Sequence, residues 1–275
     1  MNEVIYNVQA VNFCYHDGQN ILNSITFKVH KGERITLLGA NGSGKSTLLK
    51  MLDGLIFPVS GTLDAYGTPL DESSFMTEFQ YTFRKKVSFV FEEPDAQLFC
   101  LTVEDEIKFA LVQLSLSWHE IEEKTNYLLE TFSIAHLKNK APFHLSSGEK
   151  RKVLIAAITA MNPEVLLLDE PTNHLDPKSQ VWIMDYIQSL PDDLTIILAT
   201  HDLSIVEDLS QRIILISENH TILADDTPAN ILYNEELLLE ANLIHKHHHK
   251  HKHFTHIHSH GHTPDHSHYH SNNNK

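Results

Sequence analysis

Apolar positions change their period along the chain, and the changes divide it into regions. Over residues 4 to 66 β-branched and alternating residues prevail, with a turn signal at Asp17-Gly18, so this stretch reads as strands around one short helix. Arg34-Ile35-Thr36-Leu37-Leu38 predicts a short buried strand, and Ser46-Thr47-Leu48-Leu49-Lys50-Met51-Leu52 a helix. The middle carries helical spacing instead. Thr102-Val103-Glu104-Asp105 and Ser117-Trp118-His119-Glu120 have capping-box form, the second ahead of Ile121, Leu128, Leu129 and Phe132. A helical subdomain is therefore predicted over about residues 92–160. Strand runs resume at 165–168, 195–199 and 212–216, separated by helical segments as a βαβ architecture requires. Glycine is sparse after Gly148, so later turns rest on Asn, Asp and Pro, as in Ser217-Glu218-Asn219-His220. The expected fold class is α/β, with an antiparallel β piece and an inserted helical subdomain, over residues 1–243.

Length and charge narrow the classes. At 275 residues the chain can bury a full α/β core and still carry a smaller subdomain or a tail. Its formal charge of −15 speaks against a nucleic-acid partner, because phosphate backbones call for a basic face. Cys14 and Cys100 lie far apart in a chain without an export signal, which predicts free, reduced thiols in the cytosol. No apolar run reaches the ~20 residues that cross a bilayer. The longest, 153–161, suits a buried helix on the sheet, so any membrane role is expected to be peripheral.

Two short motifs carry the chemistry. Gly39-Ala40-Asn41-Gly42-Ser43-Gly44-Lys45-Ser46 fits the phosphate loop G-x-x-x-x-G-K-[ST], in the required strand, loop and helix order. There backbone N–H groups curl around phosphate oxygens, Lys45 adds a point charge and the Ser46 hydroxyl a ligand for Mg²⁺. Leu166-Leu167-Leu168-Asp169-Glu170-Pro171 is apolar and then acidic: Asp169 is placed to hold Mg²⁺ and Glu170 to polarise an attacking water. Together they imply a nucleoside triphosphatase. Between them, Leu145-Ser146-Ser147-Gly148-Glu149 has a capping-box spacing, which offers a helix N-terminus and the close backbone of Gly148 to an anion; a plain N-cap explains Ser146 equally well.

These residues resemble the signature Leu-Ser-Gly-Gly-Gln of ATP-binding cassette (ABC) proteins, with Ser147 and Glu149 standing where that family has Gly and Gln. The resemblance runs over about residues 4–233 and implies an ABC ATPase using ATP and Mg²⁺. It implies that Tyr15 stacks on adenine, against the alternative of a core tyrosine. Thr47 joins the phosphate-loop residues. Asp176 becomes the D-loop aspartate and N-cap, and His201, after an apolar strand, the histidine that senses the γ-phosphate. Because each ATP in that family lies between one cassette's phosphate loop and the other's signature, Ser146, Gly148 and Asp176 would serve a partner's nucleotide. A homodimer, or pairing with a similar cassette, follows. The stretch Val90-Phe91-Glu92-Glu93-Pro94-Asp95-Ala96-Gln97-Leu98-Phe99 is similar to that of energy-coupling-factor (ECF) importer ATPases of the cobalt and nickel group, with Glu92 in place of the Q-loop glutamine. Glu92 is expected to keep the Mg²⁺-ligand role. What is implied is the ATPase subunit of a nickel or cobalt importer, on the cytoplasmic face of the membrane beside separate transmembrane subunits. A zinc or vitamin cargo, or a soluble ABC ATPase, are the alternatives.

Beyond residue 244 the composition turns to His, Lys, Ser, Thr and Asn, and the segment 244–275 is expected to be disordered. Thirteen of the 21 histidines lie at or after His245. Neutral imidazoles suit Ni²⁺, Co²⁺ and Zn²⁺, so His247, His249, His251, His253, His256, His258 and His260 are candidate transition-metal ligands. A purification tag is the other reading, opposed by the longest uninterrupted run, His247-His248-His249, and by the interspersed residues.

Overall fold

The computed structural model describes residues 3–15, 18–251 and 254–261, with the backbone alone from residue 246 onward. Strands β1 (Val4–Cys14) and β2 (Asn20–His30) pair antiparallel. The alternation in β1 buries Tyr6 and Val8, then Val11 and Phe13, a change of parity made by a register shift at Gln9-Ala10 where Ala10 takes φ 47°. Next come β3 (Arg34–Leu38) and α1 (Lys45–Leu52), then β4 (Ser60–Ala65) and β5 (Thr68–Pro69), which complete a four-stranded sheet ordered β2-β1-β4-β5. Helices α2 (Glu72–Phe75) and α3 (Phe79–Lys86) lead into β6 (Val87–Val90).

The inserted helices are α4 (Val103–Val112), α5 (Trp118–Thr131) and α6 (Ser147–Thr159). Each starts where a short polar side chain caps it: Thr102 accepts the Asp105 N–H, and Ser117 with Glu120 and Ser146 with Glu149 close full capping boxes. The chain continues through β7 (Val165–Asp169), α7 (Pro177–Ser189), β8 (Thr195–Thr200), α8 (Leu203–Leu209), β9 (Arg212–Ile216) and β10 (Ile222–Asp226), then α9 (Pro228–Leu232) and α10 (Glu235–Glu240). The larger sheet is ordered β10-β9-β3-β8-β7-β6 and is parallel except at β10. Strands β7 and β8 are buried along their whole length, as parallel strands covered on both faces must be. Their side chains alternate between two cores. Leu166, Leu168, Ile196 and Leu198 meet the inserted helices; Val165, Leu167, Ile197 and Ala199 face α1 and the antiparallel sheet.

After residue 243 the described residues continue as a two-stranded antiparallel ribbon of β11 (Ile244–His251) and β12 (Phe254–Gly261); the rest of the segment expected to be disordered, residues 252–253 and 262–275, lies outside the described residues. Two features of the sequence suit these strands. Ile244 is 9 % exposed and belongs to the helix-side core, which anchors the first strand. The second strand brings Phe254, Thr255 and Ile257, residue types that favour extended backbone. Asp17 and His253 lie outside the described residues.

Candidate nucleotide site

The parallel register sets the carboxyl ends of β3, β8 and β7 side by side, with Leu38 opposite Thr200 and Ala199 opposite Asp169. Loops leaving these ends therefore converge, which is where open α/β sheets bind ligands. Gly39–Ser46 leaves β3, Asp169-Glu170 closes β7 and His201 follows β8. Tyr15, Asn41, Gly42, Gly44, Lys45, Ser46, Thr47, Glu92, Glu170 and His201 line one cleft of about 610 Å³. Gly39, Ser43 and Asp169 lie in the loop and strand beneath it.

Lys45, 5 % exposed, donates to the carbonyls of Gly39 (2.8 Å) and Ala40 (3.1 Å), and its Nζ lies 3.6 Å from Glu170 Oε1. Burial holds its ammonium below the ordinary lysine value, while Glu170 and Asp169 pull it back up. Gly44 is obligatory: its φ is 107°, and a Cβ there would stand 2.4 Å from the Ile21 carbonyl oxygen. The Ser46 hydroxyl donates to Asp169 Oδ1 at 2.9 Å. Burial raises the Asp169 carboxyl to about 6, reinforced by the charges of Glu92 and Glu170 and opposed by Ser46 and Lys45. A divalent cation would remove that strain. The Ser43 hydroxyl is buried without a partner among the described residues, an orphan inside the phosphate loop. A triphosphate with its Mg²⁺ fits this donor set: N–H groups and Lys45 for the oxygens, Ser46 and Asp169 for the metal.

Glu170, 5 % exposed and held at φ 42°, accepts the Thr200 hydroxyl on Oε2 (3.0 Å) and pairs with His201 Nδ1 through Oε1 (2.8 Å). That bond raises the His201 imidazole above its ordinary value, against the effect of burial. Tyr15 is no core tyrosine. It is 41 % exposed, packs edge-on to Phe13 and lies 3.3 Å from the Thr47 hydroxyl at the rim of the cleft. Ser146, Gly148 and Asp176 line a separate cavity of about 290 Å³. Gly148 is there because α6 and α7 start so close together that a Cβ would come 2.4 Å from Ser179 Oγ. A single chain thus does not bring its signature to its own phosphate loop.

Four contributors escape the sequence reading. Thr200 braces Glu170, Asn173 donates to Glu92 Oε1 at 2.9 Å, His174 at φ 59° lines the cleft, and Arg151 binds the backbone on either side of the Phe91-Glu92 junction. Arg151 alone had a signal, a cation at the head of the apolar run 153–157. Among the described residues no group of three or more His, Cys, Asp or Glu could hold a metal ion, and no helix is long and apolar enough to cross a membrane. The side chains of His247, His249, His251, His256, His258 and His260 lie outside the described residues.

Fold and cleft together define a P-loop nucleotide-binding cassette. The chain belongs to the ABC transporter family, whose model matches residues 22–173. It is 38 % identical to the nickel import ATP-binding protein NikO of Rhodobacter capsulatus, over 87 % of this chain and 95 % of that one. It is 36 % identical to the energy-coupling factor transporter ATP-binding protein EcfA of Methanothermobacter thermautotrophicus, over 86 % and 75 %. Among solved structures it superposes on CbiO1 of Clostridium perfringens, described as part of the ABC transporter complex CbiONQ, with TM-score 0.72 and 33 % identity over 88 % of this chain and 95 % of that chain. The resemblance to ECF-type ATPases of the cobalt and nickel group stands, and the chain is an ATP-hydrolysing cassette.

Proposed function

We propose that this chain is the ATPase subunit of a nickel or cobalt importer, peripheral on the cytoplasmic face, in which ATP closes two cassettes and hydrolysis reopens them. The observation that carries the ATPase half is the brace on Glu170. Its carboxylate is fixed from Thr200, His201 and Lys45 at the mouth of the phosphate loop, oriented to take a proton from water attacking the terminal phosphate. Ser46 and Asp169, with Glu92 beside them, would hold Mg²⁺, which would supply charge neutralisation for the triphosphate. Separation of the signature cavity from the cleft supports a two-fold arrangement in which each copy, or a similar cassette, completes the other's site. Glu170→Gln should still bind ATP and dimerise while turnover falls by a factor on the order of 10² or more; normal turnover in that variant would remove Glu170 as the base.

The import half rests on the two relatives' names, the CbiONQ resemblance and one surface. Phe99, Leu101, Phe109 and Val112 are 49–84 % exposed in the stretch after Glu92, with Phe99 edge-on to Phe109 at 5.0 Å. Such a patch fits a transmembrane subunit that would read the Q-loop. The histidine ribbon supports a metal cargo. In its backbone register His245 is paired with His260, His247 with His258 and His249 with His256. Cargo is decided by metal accumulation in cells with and without the gene. Loss of Ni²⁺ or Co²⁺ uptake supports the reading; loss of Zn²⁺ or of a vitamin alone would replace it.

A further inference from the structure

The buried cation Arg151 has no part in the chemistry so far described. It is 2 % exposed, on the first turns of α6 and three residues past Gly148. Its Nη1 donates to the carbonyl of Phe91 at 2.7 Å and its Nη2 to that of Glu92 at 2.6 Å, while Nε meets no acceptor among the described residues. Every hydrogen bond found for it thus goes to the Q-loop backbone. One residue earlier, Lys150 Nζ reaches Asp95 Oδ1 at 2.6 Å, at the far end of the same loop. Glu92 itself is held from the other side, its carboxylate on Asn173 of the segment joining Glu170 to Asp176. A fork that spans two successive carbonyls moves as one body with them, because neither bond lengthens without leaving a buried charge unmet.

We propose that Arg151 is a positioning residue that couples the two ATP sites of the dimer. Glu92 lines one copy's own cleft, whereas Ser146 and Gly148, at the start of the helix Arg151 belongs to, line the separate cavity that would serve the partner's nucleotide. Displacement of Glu92 on nucleotide binding is passed through the guanidinium to α6 and changes how its N-terminus presents itself. The inference rests on the two-fold arrangement proposed above.

The test uses the full chain in the Glu170→Gln background, with ATP-dependent dimerisation followed by analytical ultracentrifugation and monomer nucleotide affinity measured with a fluorescent ATP analogue. Adding Arg151→Met should raise the ATP concentration for half-maximal dimerisation about tenfold, a typical coupling. Monomer affinity should stay within about twofold, and Arg151→Lys, which keeps the charge on a single nitrogen in place of the fork, should fall between. Unchanged dimerisation in both variants would overturn the proposal, as would a parallel loss of monomer affinity, which would make Arg151 a support of its own cleft only. Should Arg151→Met fail to fold, an unshifted Arg151→Lys overturns it alone. A Glu170→Gln parent that stays monomeric with ATP would instead refute the two-fold reading, and the coupling with it.

Discussion

Asp169→Asn should make the empty protein more stable and the working enzyme inactive, and the size of the gain follows from the burial of one carboxyl. Asp169 is 4 % exposed and its pKa is raised from 3.8 to about 6. About two units at 1.36 kcal/mol each come to roughly 3 kcal/mol against the charged form in the folded state. The sign is fixed by the direction of that shift: a folded value above the unfolded one gives stability that is complete below pH 3.8 and lost as the pH rises through about 6. At pH 8 the native protein therefore bears the full cost of a buried carboxylate. Asparagine carries no charge and keeps an oxygen for the Ser46 hydroxyl, although Lys45 loses a nearby anion and the amide N–H₂ needs acceptors, so the expected gain is about 1–3 kcal/mol. Urea denaturation in EDTA without nucleotide measures it. Between pH 8 and pH 5 the advantage should shrink by about 1.4 kcal/mol, because the wild-type carboxyl takes up its proton. With Mg²⁺ and ATP at about a thousand times Kd the wild type gains about 4.1 kcal/mol that the variant largely forgoes, and the order reverses. A difference independent of pH, or a wild type more stable than Asp169→Asn at pH 8 in EDTA, would refute the reasoning.

Three further outcomes are expected. Gly44→Ala puts a Cβ 2.4 Å from the Ile21 carbonyl oxygen at φ 107°, so denaturation should show a loss on the order of 2–4 kcal/mol, with weakened ATP binding. Truncation after His245, which spares the buried Ile244, should leave basal ATPase activity within about twofold and remove most Ni²⁺ and Co²⁺ binding measured by titration; loss of the ATPase would overturn that division of labour. Glu92→Gln keeps an acceptor for Asn173, so its melting should stay within about 0.5 kcal/mol of wild type while the Mg²⁺ dependence of turnover changes. An unchanged Mg²⁺ dependence would deny the carboxylate any special part.

What was legible in the sequence divides along physical lines. Local rules were enough wherever the deciding interaction is short in sequence: β3 and α1 around the phosphate loop, the capping boxes at Ser117 and Ser146, and the Asp176 cap all depend on residues within four positions. The unseen contributors are the ones whose partners are distant. Thr200 meets Glu170 across 30 positions, Asn173 meets Glu92 across 81 and Arg151 meets Phe91 across 60; no periodicity encodes those encounters, which exist because β6, β7 and β8 lie side by side. The seating of Ile244 in a distant core is of the same kind, since composition counts apolar residues and cannot weigh where one of them packs. Glu92 shows how the two kinds of information combine. As a letter it is a departure from a family's glutamine. In place it is a carboxylate clasped at its head by Asn173 and at its carbonyl by Arg151, so the substitution changes charge beside Asp169 and leaves the loop's two anchors intact. The exchange therefore acts on the charge of the cleft, and the hydrogen bonds from Arg151 to the loop backbone do not depend on it.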